Sequence, residues 1–448
     1  MKNGIQRKIA VVLAGAAITL TGACDAGQPA ADGIVTITVN GLPPSTDPLN
    51  RANFQADLKT FQAQHRDIRI IAHEGFMDPQ TFAAKLAGGQ LEDVFYVYFT
   101  DTQSVIAKHQ ASDITSELAG IPAVKDIKPQ LMKVFSDSAG KVYGLPSANY
   151  SLGLIYNRML FSKAGLDPNK PPTSWADVRA DAKRISALGG GVNGYGDYSK
   201  SNTGGWHFTA ELYSVGGELA VQQGGVWKAA FNNDRGRQVL QQLHDMRFTD
   251  NSMGERQLLQ YADLLQAMAA GKLGMYVGSA DNIPTIVDQY KGTYTNYGLG
   301  SIPGGQATLG GGDGYMFKAG LSPAQIKAGL AWLSFKTVNP DRIASDNQKA
   351  AAKGRPVGLP EPNIWTGASE RKLLDATKKY ATVPTQNFAP FVAGNATVTL
   401  RLEPPDAQQV YAVLDTAMQK VLTDPNADIT QLLNTAETQV NQILATVK

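Results

Sequence analysis

Aromatic and planar polar side chains at loop positions are the residues of this sequence best suited to chemistry. They lie beside glycines or polar turns and not in amphipathic stripes: Asn149, Tyr150, Tyr195, Tyr198, Trp206, Trp227 and Tyr315. A sugar packs its C–H faces on aromatic rings, and its vicinal hydroxyls suit bidentate Asp, Asn and Arg side chains. The set therefore predicts a cleft for a neutral carbohydrate, and the competing interpretation places several of these rings in the core.

Two other patterns suggest a nucleotide site and a metal site, but the sequence around them lacks what such sites require. Gly189, Gly191 and Gly194 have the spacing of a dinucleotide-binding loop, but a predicted helix precedes them where a strand is required. His207 and Glu211 have the helical spacing of metal ligands, yet the sequence offers no third ligand, and an exposed helix pair is the favoured interpretation. We predict no metal ion and no cofactor.

Carboxylates leave an enzyme alternative open. Asp101, Glu211 and Asp313 could converge in the fold as the acid pair of a glycoside hydrolase, and a sequence does not measure their separation. The primary prediction is a protein that is not an enzyme.

The first 23 residues have the pattern of an export signal. Lys2, Arg7 and Lys8 precede an apolar run over residues 9–20, which is too short to span a bilayer. Cys24, the single cysteine, follows at the expected cleavage point. One thiol forms no internal disulfide, so its position is the informative feature.

The segment Leu20-Thr21-Gly22-Ala23-Cys24 resembles the lipobox of bacterial lipoproteins, in which the cysteine is lipidated. This resemblance implies a tether on the outer face of a membrane, with residues 24–33 as a lipidated N-terminus and linker. A freely secreted or periplasmic protein is the alternative.

Composition narrows the class of protein. The chain has 448 residues, of which 43% are hydrophobic and 18% charged, so it is globular with two or three domains. Without the three bases of the signal, 38 Lys and Arg face 39 Asp and Glu. A near-neutral body does not favour nucleic-acid binding.

Hydrophobic periodicity predicts the elements that position these residues. Strands at 35–39, 68–72 and 94–99 alternate with helices through Phe54 and over 79–88, which is typical of a doubly wound α/β sheet. Ligands of such sheets bind beyond the carboxyl ends of the strands. These ends point to the loops that begin at Asn40, His73 and Thr100-Asp101.

In the rest of the chain, N-cap residues predict where helices begin, and a glycine-rich segment lies between predicted strands. Ser174, Ser322 and Asp406 are predicted N-caps, and a last helix is predicted over 429–444. Short strands are predicted around 294–318, joined by a glycine-rich connection at 310–314.

The middle of the chain resembles a known family. The stretches concerned are Gly140–Pro146, Gly153–Arg158, Leu160–Leu166 and Pro171–Trp175, with weaker matches at Gln266–Met275, Gly298–Gly305 and the tail from Pro405. They resemble extracellular solute-binding proteins of bacterial ABC importers, in the maltose- and oligosaccharide-binding branch.

The resemblance implies a type II periplasmic-binding-protein fold with two α/β lobes joined by a hinge. Residues 34–147 and 277–318 would form the first lobe, and residues 148–276 and 319–448 the second. The family's ligand contacts fall by position on Asn40, Asp101, Asn149, Tyr150, Trp206, Ser279, Gly312, Asp313 and Arg355. Trp206 is the expected aromatic platform and Trp227 its rival.

The implied function is that of a monomeric receptor. A carbohydrate would close Trp206 and Tyr150 of one lobe against Asp101 and Asp313 of the other. The closed form would then deliver the sugar to a membrane permease with its ATPase. A receptor for an anionic glycerophosphate-type ligand paired with Arg355, a glycoside hydrolase and a surface adhesin are the alternatives.

Overall fold

The computed structural model describes residues 33–45, 48–78, 81–360, 362–395 and 397–447. The strands are β1 (Val35–Leu42), β2 (Ile68–Glu74), β3 (Val94–Tyr98), β4 (Gly144–Ser151), β5 (Gly153–Asn157), β6 (Asn193–Tyr195), β7 (Ala220–Gln223), β8 (Val226–Ala229), β9 (Leu273–Gly278), β10 (Tyr297–Gly300), β11 (Ala307–Phe317) and β12 (Thr399–Leu402).

The α-helices alternate with these strands and also form the tail of the chain. They are α1 (Pro48–Gln64), α2 (Phe82–Ala87), α3 (Phe99–Ala107), α4 (Pro129–Val134), α5 (Arg158–Lys163), α6 (Trp175–Ser186), α7 (Thr203–Ser214), α8 (Asp234–His244), α9 (Tyr261–Ala269), α10 (Asn282–Asp288), α11 (Pro323–Lys336), α12 (Ile343–Ala352), α13 (Gly367–Tyr380), α14 (Ala389–Asn395), α15 (Ala407–Thr423) and α16 (Ile429–Leu444).

The first sheet has the strand order β12-β11-β3-β1-β2, and β4 also pairs with β11. Strand β1 is parallel to both β2 and β3, which confirms the predicted opening of a doubly wound sheet. Helices α1 and α11 pack together through Phe54, Phe61 and Trp332, whose rings meet edge to face. Helix α11 also packs against β1, so this apolar layer covers the first sheet.

The second sheet has the order β10-β5-β9-β6 and is buried on both faces. Leu154 and Tyr156 of β5 pack into a core with α6, α7 and α15, whereas Ile155 packs into a second core with α9 and α10. Successive strand residues point to opposite faces, so one strand supplies both cores. A small hairpin of β7 and β8 packs against α16.

Sheet membership differs from the predicted lobe boundaries at several elements. Strand β12 pairs with β11 in the first sheet, although residues 319–448 are predicted to lie in the second lobe. Strand β10 pairs with β5 in the second sheet, although residues 277–318 are predicted to lie in the first lobe. Helix α11 packs in the core of the first sheet, although residues 319–448 are predicted to lie in the second. Periodicity identifies a strand or helix but not its partner, which packing decides.

Capping hydrogen bonds follow the predictions at two of three helix starts. Ser174 and Ser322 accept hydrogen bonds from the backbone N–H groups of Asp177 and Gln325. Asp406 is the N-cap residue of α15, as predicted, but the predicted capping interaction is wrong: the residue has a left-handed backbone (φ 49°), and its side chain makes no cap hydrogen bond. The predicted helix over 429–444 is confirmed.

The glycine-rich segment at 310–314 is a strand and not the predicted connection. It lies inside β11, which pairs with β3, β4 and β12. Glycine is required there because neighbouring groups fill the space of a side chain: a Cβ at Gly312 would come within 2.7 Å of the Phe99 ring.

The export-signal and lipobox predictions fall on residues outside the described part of the chain. In the part that is described, no helix combines the length and apolar character that crossing a membrane demands.

Candidate functional site

Two tyrosines of β3 form an aromatic face on the first sheet. Tyr96 pairs with Tyr315 of β11 and Tyr98 pairs with Asp313, so the four side chains share one face. The Tyr96 ring lies 5.7 Å from Tyr98 and 5.6 Å from Tyr315, edge to face in both cases. Phe76, 52% exposed, extends this face with its ring 4.8 Å from Tyr96.

Asp313 is the carboxylate of this face. Its Oδ1 accepts a hydrogen bond from Ser147 Oγ, and the Tyr96 hydroxyl also hydrogen-bonds to it. Burial raises the pKa of Asp313, and these two hydrogen bonds oppose part of the rise. The carboxylate is therefore held by neutral donors only, which leaves its charge available to a ligand.

A second group of polar atoms lies where the chain crosses between the sheets. Tyr150 is opposite Gly311 in the β4–β11 pair, and its hydroxyl accepts a hydrogen bond from Trp206 Nε1 at 3.3 Å. Glu403 accepts hydrogen bonds from Tyr411 at 3.3 Å and from Tyr150. A Cβ at Gly311 would lie 2.6 Å from Glu403 Oε2, so glycine makes room for this carboxylate.

Trp206 lies in the first turn of α7, at the other side of Tyr150. Its ring centroid is 6.2 Å from Tyr150, 6.3 Å from Tyr198 and 5.3 Å from His207. Asp415 of α15 positions this turn by accepting hydrogen bonds from the backbone N–H groups of Asn202 and Gly205 at 2.7 and 2.9 Å. The indole is partly exposed, so it can serve as a stacking surface.

A cavity of about 360 Å³ is lined by Asp101, whose charge also raises the pKa of Glu403. It lies between helices α2 and α3 and the start of α15, and Asp101, Lys108 and Asp406 line it. Burial raises the pKa of Asp101, whose Oδ2 accepts a hydrogen bond from Thr100 at 2.6 Å, and the charge of Asp406 adds to the rise. The cavity thus brings together groups from both halves of the chain.

His207 and Glu211 are not the exposed pair that the sequence favoured. His207 is 1% exposed and Glu211 is fully buried, and His207 Nδ1 lies 3.1 Å from Asp197 Oδ2. The Tyr195 hydroxyl donates to Glu211 Oε1 at 3.1 Å. Within the described ranges, no group of three or more His, Cys, Asp or Glu is arranged to hold a metal ion.

Three predicted ligand contacts are engaged in holding the fold. Asn40 continues β1 instead of starting a loop, and its Oδ1 accepts from the backbone of Tyr96 at 2.7 Å. The amide nitrogen of Asn149, in the orientation that satisfies both its polar atoms, donates to the carbonyl of Asn363 at 3.2 Å. Gly312 is on the face opposite to Asp313, against Phe99.

The other predicted contacts lie outside the group around Tyr150 and Asp313. Ser279 hydrogen-bonds to Asp281 just after β9. Arg355, in the loop after α12, donates to Asn50 Oδ1 at 3.2 Å. Trp227 belongs to the β7–β8 hairpin and packs on the core that includes α16, so the structure does not bring it to Trp206.

Sequence reasoning missed three residues of this site. Tyr96 and Tyr98 lie in the strand predicted at 94–99, and their spacing of two was the signal that both side chains share one face. Glu403 carries no local signal, because only the return of the chain from the second sheet brings it to Tyr150.

The sequence of this chain matches a known protein family. Residues 47–337, well over half of the chain, match the sequence model of the bacterial extracellular solute-binding proteins. The chain belongs to this family.

Solved solute-binding proteins share this fold along nearly the whole chain. A cyclic α-maltosyl-1,6-maltose-binding protein from Arthrobacter globiformis has a TM-score of 0.69 and 22% identity, covering 92% of this chain and 100% of that one. The GacH receptor of Streptomyces glaucescens, solved unliganded and in complex with acarbose, has a TM-score of 0.69 and 19% identity, covering 92% of this chain and 99% of that one. At these identities the likeness establishes the two-lobe fold alone.

Curated relatives match shorter stretches. A putative binding protein of Brucella abortus is 29% identical over 170 residues, which are 37% of this chain and 39% of that protein. The sn-glycerol-3-phosphate-binding periplasmic protein of the same organism is 26% identical over 217 residues, 46% of this chain and 48% of that protein. The chain therefore spans less than half the length of these relatives.

The environment of Glu403 makes the stability of this solute-binding protein depend on pH. Burial raises the pKa of Glu403 from 4.5 to about 7. Between these values the folded state binds more protons than the unfolded state, so this group adds stability as the pH falls from 8 through 7 towards 4.5. The interval corresponds to on the order of 3 kcal/mol.

We expect Glu403→Gln to raise the melting temperature of the ligand-free protein at pH 8 and to leave it nearly unchanged at pH 5. Calorimetric scans of the parent and the variant from pH 5 to pH 8 measure the difference between their melting temperatures. The titration of all other groups affects both proteins equally and therefore cancels in this difference. A variant less stable than the parent at pH 8 would contradict the prediction.

Proposed function

We propose that this protein captures a carbohydrate between its two halves and delivers it to the permease of an ABC importer. The observation that carries the proposal is that Glu403 links two groups. It hydrogen-bonds to Tyr150, which contacts the partly exposed indole of Trp206, and its charge acts on Tyr98 in the face shared with Tyr96 and Asp313. Aromatic faces pack on sugar C–H groups, and carboxylates accept from sugar hydroxyls. The carbohydrate receptors among its structural neighbours support the same reading.

The proposed mechanism is closure around a hinge. The chain crosses between the sheets from β4 to β5 and from β10 to β11, and Leu152 donates to the carbonyl of Leu309 at 3.1 Å where these crossings meet. A ligand that contacts Trp206 on one side and Asp313 on the other favours the closed state, because only that state makes both contacts. The permease would then distinguish the closed receptor from the empty one.

Titration calorimetry combined with small-angle X-ray scattering tests this function. We expect at least one of glucose, maltose, maltotriose and cellobiose, or an amino sugar, to bind with micromolar or better affinity and to reduce the radius of gyration. Mass spectrometry of the recovered ligand should find it intact, since no bond is broken. If the whole panel leaves the heat and the scattering unchanged, or if the sugar is recovered cleaved, the proposal is wrong.

A receptor for an anionic glycerophosphate compound is the second candidate. The curated relatives named as sn-glycerol-3-phosphate-binding proteins favour it. The carboxylates around Tyr98 oppose it, because they would repel a phosphate group. Adding sn-glycerol 3-phosphate to the calorimetry decides between the two: tighter binding of this compound than of every carbohydrate would favour the second candidate.

We also propose that Cys24 is lipidated and holds a monomeric receptor at the outer face of the membrane, close to its permease. The support is the lipobox-like segment that ends at this single cysteine. The mass of the protein from the membrane fraction should exceed that of the chain from Cys24 by a diacylglycerol group. An unmodified chain found only in the medium would contradict the tether.

A further inference from the structure

Four carboxylates act on the phenol of Tyr98, which lies opposite Asp313 in the β3–β11 pair. Burial raises the pKa of Tyr98, and the charges of Asp313, Asp101, Asp78 and Glu403 raise it further. These acids come from different parts of the chain: β11, α3, the loop after β2, and the segment after β12. The fold therefore gathers negative charge around the phenol of Tyr98.

Several acids elsewhere in the described part of the chain form ion pairs with cations. Asp57 contacts Lys336 and Arg342 at 2.6 and 2.9 Å, and Asp245 contacts Arg179 at 2.8 Å. By contrast, no ion pair within 4.0 Å joins a described residue to the four acids of the cleft, which are Asp101, Asp313, Glu403 and Asp406. Hydroxyl groups donate to three of them: Thr100 to Asp101, Ser147 to Asp313 and Tyr411 to Glu403.

Neither the lysine that lines the cavity nor Arg355, a predicted ligand contact, forms an ion pair with these acids in the described part of the chain. Lys108 lines the cavity with Asp101 and Asp406, and its charge lowers the pKa of both without forming an ion pair to either. Arg355 donates to Asn50. The cavity lining thus contains two carboxylates and one lysine. Asp313 and Glu403 are not part of this lining, and Lys108 does not lower their pKa values.

We propose that the solute carries a protonated amine, which places its ammonium group among Asp313, Asp101 and Glu403 beside the rings of Tyr98 and Tyr150. This inference rests on the proposed function and names the class of its ligand as an amino sugar. Aromatic faces attract a cation as well as sugar C–H groups, so the same walls accept both parts of such a molecule. Charge-assisted hydrogen bonds to carboxylates are about twice as strong as neutral ones.

Closure is the step that separates a charged ligand from a neutral one. When the two halves meet, water leaves the cleft, and each unpaired carboxylate loses its hydration. An ammonium group compensates this loss directly. A neutral sugar compensates it only through its hydroxyls. Because the pKa of Glu403 is about 7, closure around a neutral sugar then favours the protonated form of Glu403 over the buried carboxylate.

Matched pairs of sugars test the inference by titration calorimetry at pH 6.5. The pairs are glucosamine with glucose, and the disaccharide of glucosamine with cellobiose; N-acetylglucosamine is the control that keeps the substituent but loses the charge. We expect the amine-bearing member of a pair to bind at least tenfold more tightly, and this ratio to fall by at least threefold between 50 mM and 500 mM NaCl because salt screens charge.

Two variants identify the acids concerned. Glu403→Gln is expected to reduce the preference for the amine at least fivefold. Glu437→Gln, in α16, is the control: its carboxylate accepts from Asn232 at 2.7 Å, far along the chain from the cleft, and it should leave the preference unchanged. A preference that both variants preserve would overturn the placement of the ammonium group.

The outcomes separate this inference from the function on which it rests. If neutral sugars bind as tightly as their amine counterparts, the inference is wrong and the carbohydrate receptor stands. If no sugar of either kind binds, both are wrong.

Discussion

Replacing Trp206 by alanine is expected to weaken carbohydrate binding about a hundredfold. The indole is partly exposed beside Tyr150, and no other ring of the site lies in the first turn of α7. Loss of an aromatic stacking surface at the centre of a binding site costs about 2–3 kcal/mol, and 2.7 kcal/mol is a factor of about 100 in Kd. Titration calorimetry with the best ligand of the parent protein measures the change.

Trp227→Ala is the matched control for this variant. Trp227 is also a partly buried tryptophan, but it lies in the β7–β8 hairpin and packs toward α16. We expect its removal to change Kd by less than about twofold. Trp206→Phe, which keeps a ring but loses the hydrogen bond to Tyr150, should fall between the parent and Trp206→Ala. Equal losses in the two alanine variants would contradict the assignment of the platform.

The second large effect is expected from Gly205→Ala in α7. A Cβ at Gly205 would lie 2.5 Å from the Cα atom of Tyr411 in α15, and the carbonyl of the same residue would be closer still. Both obstacles are backbone atoms, so α7 and α15 must move apart. We expect a loss of about 3 kcal/mol, the upper range for overpacking, and a melting temperature lower by about 5 °C.

The same change should also impair binding, because Trp206 follows directly and Asp415 anchors the N–H of Gly205. Gly120→Ala is the control, since a Cβ at Gly120 has no neighbour within 4 Å. It should change the melting temperature by less than about 1 °C. A Gly205→Ala protein as stable as the Gly120→Ala protein would show that the helices separate without cost.

Local patterns of the sequence determined the elements and several of their ends. The strand patterns at 35–39, 68–72 and 94–99 and the helix over 429–444 are confirmed, as are the caps at Ser174 and Ser322. These features depend on residues within a few positions of one another, where side-chain period and capping chemistry act. The family motifs of the middle of the chain are local in the same sense and led to the correct family.

The residues of the candidate site could be predicted only in part from local sequence patterns. Asp313, Tyr150, Trp206 and Asp101 were selected from the sequence, and the structure brings them to two connected groups. Asn40 and Asn149 were selected by position, but backbone groups of neighbouring strands use their amides. Position along a motif indicates the end of a strand, and it does not indicate whether the side chain faces the cleft or the sheet.

Only the tertiary structure decided which distant residues share an environment. Glu403 meets Tyr150 across more than 250 positions of the chain, and Asp197 completes a buried group with His207 and Glu211 that looked like an exposed pair. Strand β10 joins the second sheet and β11 the first because pairing is chosen by packing on both faces. The types and spacing of residues determined the kind of protein, whereas the three-dimensional packing determined the charge and shape of the cleft, since long-range contacts leave no periodic signal in the sequence.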